Sequence, residues 1–291
     1  MKLDTKKHRA VRSARSSALD ARLREIRHFV LDMDGTIYKG GTVFKETIPF
    51  LQLLKAIGIG CTFITNNSSE SKTEYLSRLE RLGVKVSSDQ LYTSTQATIE
   101  YLHSKWPRCR RLFVLGTPSL IGELTDAGFE SVTDSASDEP DAVLVGFDTT
   151  LTYARLCRAA WWIVQGKPFI ATHPDRVCPT DQPTVLVDCG AICAALREAT
   201  GRVPEAVLGK PDPCMIRGVL RRQGLNACQL AVVGDRLYTD IVMARDAGAF
   251  GVLVLTGETT AADVRGAVPP PDMVVCGLGE LSELLRRIHN V

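Results

Sequence analysis

Short apolar runs alternate with amphipathic stretches along almost the whole chain. Strand-like runs lie at 28–32, 60–64, 111–115, 142–146, 168–172, 205–208, 230–234 and 251–255. They are apolar on successive positions, as strands buried on both faces must be. Between them, a helical period predicts helices near 47–57, 70–82, 94–106, 118–127, 152–165, 189–200, 213–223, 239–247 and 279–289. Seven of these end on glycine: Gly58, Gly83, Gly128, Gly166, Gly201, Gly224 and Gly248. Glycine accepts the left-handed backbone that closes a helix. Pro269, Pro270 and Pro271 mark a loop before a last strand–helix unit. Strand–helix alternation predicts parallel sheets flanked by helices, an α/β fold.

At 291 residues, one large or two medium domains are expected. A hydrophobic content of 45% is enough for a full core. The net charge of +2 is unevenly placed: residues 1–25 hold eight Lys/Arg and three acids, which leaves the remainder slightly acidic. A body of that sign is not expected to bind nucleic acid. The basic segment reads as a solvated extension, with an organelle leader or an anionic-surface contact as the alternatives, and residues 17–26 could form a short helix leading into the first strand. Nine cysteines without a Cys-x-x-Cys pair suit reduced thiols, hence a cytoplasmic location. No apolar run reaches the ~18–20 residues that span a bilayer, so no membrane partner is expected.

Chemistry gathers where the strand-like runs stop. The run at 28–32 ends in Asp32, followed by Asp34, Gly35 and Thr36. Positions i and i+2 of an extended chain share a side, so two carboxylates are held close. Such a pair repels itself unless a cation, a shared proton or a reaction occupies it. The run at 60–64 ends in Thr65, Asn66 and Asn67, that at 205–208 in Gly209 and Lys210, and that at 230–234 in Asp235, with Asp240 five residues on. In open α/β sheets, ligands bind at the carboxyl ends of strands. If these strands lie side by side, one rim collects four acids, a lysine and a hydroxyl–amide cluster. That inventory fits a phosphoryl group with a hard cation such as Mg²⁺.

Each segment alone has a plainer reading. Asp-x-Asp-Gly could open a calcium loop, but Asp34 abuts Gly35 directly and Lys39, Gly40 and Gly41 follow, which breaks the EF-hand spacing. Thr65–Ser69 could be a turn and helix cap, Gly209–Pro211 a loop, and Gly234–Asp235 an ordinary strand end. Four such segments in this order, each at a strand end, argue against chance.

Together they resemble the haloacid dehalogenase-like superfamily of phosphatases. Asp32–Thr36, Thr65, Lys210 and Gly234–Asp235 with Asp240 match its four motifs. The segments Ala171-Thr172-His173-Pro174-Asp175, Asp188-Cys189-Gly190-Ala191, Gly209–Pro211 and Gly234–Ile241 are similar to the NagD-type, or 4-nitrophenylphosphatase-like, branch. The resemblance spans about residues 27–288. It implies a Rossmann-like, doubly wound parallel-sheet core at 27–97 and 208–291 and an inserted α/β cap domain at 98–207, preceded by the basic extension at 1–26.

The resemblance also implies roles. Asp32 would be the nucleophile and Asp34 the general acid and base. Thr65, Asn66 (through its backbone N–H) and Lys210 would hold the phosphoryl group. Mg²⁺ would sit on Asp32, the Asp34 backbone carbonyl and Asp235, with Asp240 in or near the layer behind. The substrate would be a small phosphorylated metabolite: a sugar phosphate, a nucleoside monophosphate, glycerol phosphate or 4-nitrophenyl phosphate. Dehalogenation needs no acid two residues after the nucleophile, so Asp34 favours phosphate esters. Phosphotransfer or mutase activity, or a non-catalytic phosphometabolite-binding regulator, are the alternatives.

The loop at 173–180 is the expected specificity loop, with His173, Asp175 and Cys178 as candidate substrate contacts. His173 could instead cap the loop and Asp175 form a turn. Cys189 and Cys193 lie i, i+4 on a helix and read as packing rather than metal ligands. Trp161 and Trp162 read as packing too, with a dimer contact through the cap as the alternative.

Overall fold

The computed structural model describes residues 18–178, 180 and 182–291. Most of the basic extension, residues 1–17, and Pro179 of the expected specificity loop lie outside the described residues. Residues 18–25 are helical, and Leu23 and Ile26 bury themselves under the first sheet.

That sheet has six strands, in the order Met273–Val275, Phe250–Val254, Leu230–Gly234, His28–Asp32, Gly60–Thr65 and Leu91–Thr93, all parallel. Both its faces are covered. Phe29, Leu31, Phe63 and Val233 pack one way, against residues of the helices Thr47–Ala56, Lys72–Arg81 and Leu278–His289. Val30, Ile64 and Val232 pack the other way, against Met215, Ile216 and Met243. The strict alternation along His28–Asp32 is therefore hidden in sequence, because both sides are apolar.

The second sheet lies in the segment expected to form the cap. Its order is Ala206–Val207, Phe169–Ala171, Ala142–Val145, Arg111–Leu115 and Glu130–Ser131, again parallel. Cys189, Cys193 and Trp162 are buried among its apolar residues, while Trp161 remains partly exposed. The helix Ser94–Lys105 leads from one sheet to the other.

All eight strand-like runs and all nine helical stretches recur within about a residue at most ends, and the seven closing glycines all have positive φ. The short strands Leu91–Thr93, Glu130–Ser131 and Met273–Val275, and the hairpins Tyr38–Lys39/Thr42–Val43 and Val177–Cys178/Leu186–Val187, add to that reading. Two or three residues are too few to display a period. Among the described residues, no helix is long and apolar enough to cross a membrane.

Candidate active site

The central strand His28–Asp32 is where the sheet reverses its winding. The chain leaves it for Gly60–Thr65 on one side and later returns to Leu230–Gly234 on the other. The carboxyl end of this strand is thus the switch point that leaves a crevice. Pairing of Asp32 with Ile64 and of Leu31 with Val233 brings Asp32, Thr65 and Asp235 out at one rim.

After Asp34 the backbone turns through Gly35, at φ 84°. A side chain there would be strained and would meet Asp235, whose Oδ2 lies 2.5 Å from where a Cβ would stand. The loop therefore folds directly onto the Asp235 carboxylate.

Lys210 arrives from the far end of the cap. Its buried Nζ contacts Asp32 Oδ1 and lies 2.9 Å from Asp240 Oδ1. Burial opposes its charge, but Asp240 and Asp32 more than offset that and raise its pKa. Thr36 Oγ1 donates to the other Asp32 oxygen at 3.3 Å.

Asp240 reaches Lys210 because its helix does not begin as the sequence suggests. A five-residue π-helical turn, Leu237–Ile241, precedes the α-helix Val242–Ala247. The wider turn lets Asp240 Oδ2 accept from Arg236 N at 3.2 Å while Oδ1 faces the lysine. Such turns occur frequently at functional sites.

Oxygens of Asp32, Asp235 and Asp240 lie within 4.8 Å of one another, and all three residues are buried. Lys210 and the neighbouring Arg236 together do not balance three carboxylates. Burial, then Asp32 and Asp240, push the Asp235 pKa up. Its Oδ2 accepts from Glu258 N at 2.6 Å, but its buried Oδ1 has no hydrogen-bond partner among the described residues. An unpartnered oxygen among crowded carboxylates fits a hard divalent cation. Asp34 is half-buried; burial, then Asp32, raise its pKa as well.

These groups open into a cavity of about 130 Å³. The core side supplies Asp32, Asp34, Thr65, Asn66, Lys210, Arg78 and Arg236, and the cap side supplies Asp175, Cys178 and Asp188. The six core-motif candidates Asp32, Asp34, Thr65, Asn66, Lys210 and Asp235 are thus brought together, with Asp240 beneath. Of the cap candidates, Asp175 and Cys178 line the cavity. His173 is fully buried behind them.

The His173 ring is held between two carboxylates, with Asp175 Oδ2 3.7 Å from Nδ1 and Asp188 Oδ1 3.5 Å from Nε2. They approach opposite nitrogens, and one ligand atom from each of the three residues lies within 4.8 Å of the others. Burial lowers the His173 pKa to about 4, which leaves the ring neutral at pH 7.

The Asn66 side chain has a role the sequence does not announce. Its Oδ1 accepts from Lys210 N at 2.7 Å, and its Nδ2 donates to Lys210 O at 2.9 Å and to Asp175 Oδ2 at 3.2 Å.

The sequence reading gives no site role to the lining residues Arg78 and Asp188. Arg78 sits in the last turn of its helix, where arginine normally means a solvated face; here it lies over the Tyr38 ring, 5.2 Å from its centroid, and pairs with Glu70 at 3.5 Å. Asp188 is legible as a helix N-cap, and its Oδ1 accepts from Cys189 N at 2.6 Å. Burial pushes Asp188 up to about 7 against the pull of that N–H.

Comparison with known proteins bears on this arrangement. Residues 29–130 match the family model "Haloacid dehalogenase-like hydrolase", and residues 207–281 match a second, HAD-hydrolase-like model. The acid sugar phosphatase of Staphylococcus aureus is 30% identical over 249 residues, covering 86% of this chain and 94% of that protein. The crystal structure of 4-nitrophenylphosphatase from Thermotoga maritima is similar with a TM-score of 0.84 and 40% identity, over 91% of this chain and 98% of that one. The glycerol phosphate phosphatase of Mycobacterium tuberculosis, solved in complex with magnesium, gives a TM-score of 0.81 and 33% identity, over 90% and 78% of the two chains.

Proposed function

The chain belongs to the haloacid dehalogenase-like hydrolases, as a phosphatase of the NagD-type, 4-nitrophenylphosphatase-like branch, and on that premise we propose that it hydrolyses small phosphate monoesters through an aspartyl-phosphate with the aid of Mg²⁺. The observation that carries this reading is the rim itself: Lys210 bridging Asp32 and Asp240, beside an Asp235 oxygen with no partner among the described residues.

In the first step, an Asp32 oxygen attacks phosphorus and the bond to the leaving oxygen breaks. Asp34 gives that oxygen its proton, which a raised pKa favours. In the second step, water attacks the phosphoryl-aspartate. Asp34 takes the water's proton, and Asp32 leaves with its electron pair as phosphate is released. Thr65 and the backbone N–H of Asn66 hold phosphoryl oxygens, and Lys210 keeps Asp32 and the phosphoryl group together. Asp32, the Asp34 carbonyl and Asp235 would hold Mg²⁺, with Asp240 behind them. The bound cation would neutralise charge on the transferred group, which is where most catalysis of this reaction lies.

The cavity is smaller than the ~300–1,000 Å³ of drug-sized ligand pockets. Its cap side presents the Asp188 carboxylate to the leaving group rather than a cation. Both features support a small, hydroxyl-bearing leaving group, as in sugar or glycerol phosphates, over a nucleoside monophosphate. Names of the relatives point the same way. Self-association through the cap belongs to the same reading, supported by the exposed Tyr153 and Trp161 on the helix Tyr153–Val164.

The test is release of phosphate from 4-nitrophenyl phosphate. It should require Mg²⁺ and fall by about 10⁴ or more in Asp32→Asn. Equal rates in wild type and Asp32→Asn would remove the nucleophile from this scheme.

A further inference from the structure

The reading above, on which this inference rests, gives Lys210 the task of holding Asp32 and the phosphoryl group. We infer that Asn66 and the cap residue Asp175 form a positioning chain for that lysine, so that Asp175 acts on kcat for every substrate rather than on the choice of substrate.

Lys210 lies in a loop beyond the short strand Ala206–Val207, where no sheet ladder holds its backbone. The Asn66 carboxamide supplies the missing pairing. It takes the Lys210 N–H on its oxygen at 2.7 Å and gives a hydrogen to the Lys210 carbonyl at 2.9 Å. Its second hydrogen goes to Asp175 at 3.2 Å. Turning the amide over would set NH₂ against N–H and oxygen against both a carbonyl and a carboxylate. One orientation is therefore fixed, and Asp175 is the group that adds a charge to fixing it.

Asn66 is itself pinned by Ser94 Oγ, which donates to its backbone carbonyl at 2.6 Å. Asp175 is pinned in turn. Gly190 N donates to Asp175 O at 2.7 Å, and a Cβ on Gly190 would stand 2.9 Å from that oxygen. Only glycine lets the helix Cys189–Thr200 approach the loop this closely. Support thus runs from a cap helix through Gly190, Asp175 and Asn66 to Lys210. Displacing a preorganised charge by about 1 Å can cost about 10²-fold in rate.

Steady-state kinetics of the full chain with Mg²⁺ test the chain of contacts. Asn66→Asp is isosteric but loses both donors; kcat should fall about 10²-fold with KM within about threefold. Asp175→Ala should lower kcat about tenfold, by the same factor on 4-nitrophenyl phosphate, glycerol phosphate and a hexose phosphate. Asp175→Asn keeps an acceptor oxygen and should recover part of that loss. In an Asn66→Asp background, Asp175→Ala should cost little more, because the link is already broken. Vanadate, which mimics the transition state, should bind more weakly in step with kcat, whereas inhibition by inorganic phosphate should hardly change.

An Asp175→Ala effect confined to KM, or differing between substrates, would make Asp175 a substrate contact and overturn the inference. So would full additivity of the two substitutions. If Asn66→Asp does not fold, Asp175→Ala still decides. Loss of turnover in Asp32→Asn alongside unimpaired Asn66→Asp would sink the positioning chain alone; an active Asp32→Asn would sink the mechanism beneath it.

Discussion

Lys210 and Asp240, thirty residues apart, form a buried ion pair at 2.9 Å beneath the carboxyl end of the central strand. Neither can be removed without leaving the other in a place chosen for a pair. Breaking a buried pair at one side costs up to about 3–5 kcal/mol. Lys210 keeps Asp32, so Asp240→Ala is expected at the lower part of that range. Chemical denaturation of Asp240→Ala and Asp240→Asn measures it, with the asparagine variant the less destabilised. Wild-type stability in both would mean that the pair contributes nothing net.

The proposed mechanism gives Asp34 work in both steps, and the steps can be separated by the leaving group. 4-Nitrophenolate leaves readily without a proton, whereas an alkoxide does not. Asp34→Asn should therefore still release nitrophenol in a rapid first turnover and then stall, because the water is no longer deprotonated. Stopped-flow absorbance should show a burst of about one equivalent. With glycerol phosphate, no burst of product is expected and turnover should fall about 10²–10⁴-fold. Equal losses on both esters with no burst would assign Asp34 another role.

Asp235 offers a readout of the cation that does not depend on turnover. A ligand bound only by the folded state raises the melting temperature as its concentration rises. Mg²⁺ should stabilise the wild type in this way and chelator should reverse it. Asp235→Asn, which loses a charge beside the unpartnered Oδ1, should show little shift. A Mg²⁺ response unchanged in Asp235→Asn would place the cation elsewhere.

His28 predicts how stability depends on pH. It is buried on the first strand, and its Nε2 lies 2.8 Å from Thr62 Oγ1. Burial lowers its pKa from 6.5 to about 4. The unfolded chain therefore takes up the proton first as pH falls. Stability from this group is present above pH 6.5, declines between 6.5 and about 4, and levels off below. The loss is at most roughly 3 kcal/mol. Denaturation at pH 7 and pH 4.5 should show a smaller loss in His28→Asn than in wild type. An identical loss would assign the acid sensitivity to other groups.

Much of the site could be read from sequence because the ends of buried strands are local events. Asp32, Thr65 and Asp235 each follow an apolar run that a polar residue or glycine stops, and no knowledge of neighbours is needed to see it. Helix boundaries were legible for the same reason, through glycines such as Gly224 and Gly248, which close them at positive φ. The start of the last core helix before Phe250 was not, because the π-helical turn depends on Asp240 finding both Arg236 N and Lys210.

What the sequence determined by itself, then, was an α/β chain with acids, a lysine and a threonine at strand ends, and hence a chemistry. Tertiary structure alone decided which groups those side chains serve. Asn66 meets Asp175 and Lys210 across 109 and 144 residues. Arg78 enters the cavity from a helix whose charged pattern reads as solvated, and His173 withdraws behind the wall it was expected to form. Periodicity and capping are set by neighbours in the chain. A hydrogen-bond partner or an exposed face is set by which surfaces pack together, and that becomes fixed only when both sheets have formed and closed on each other.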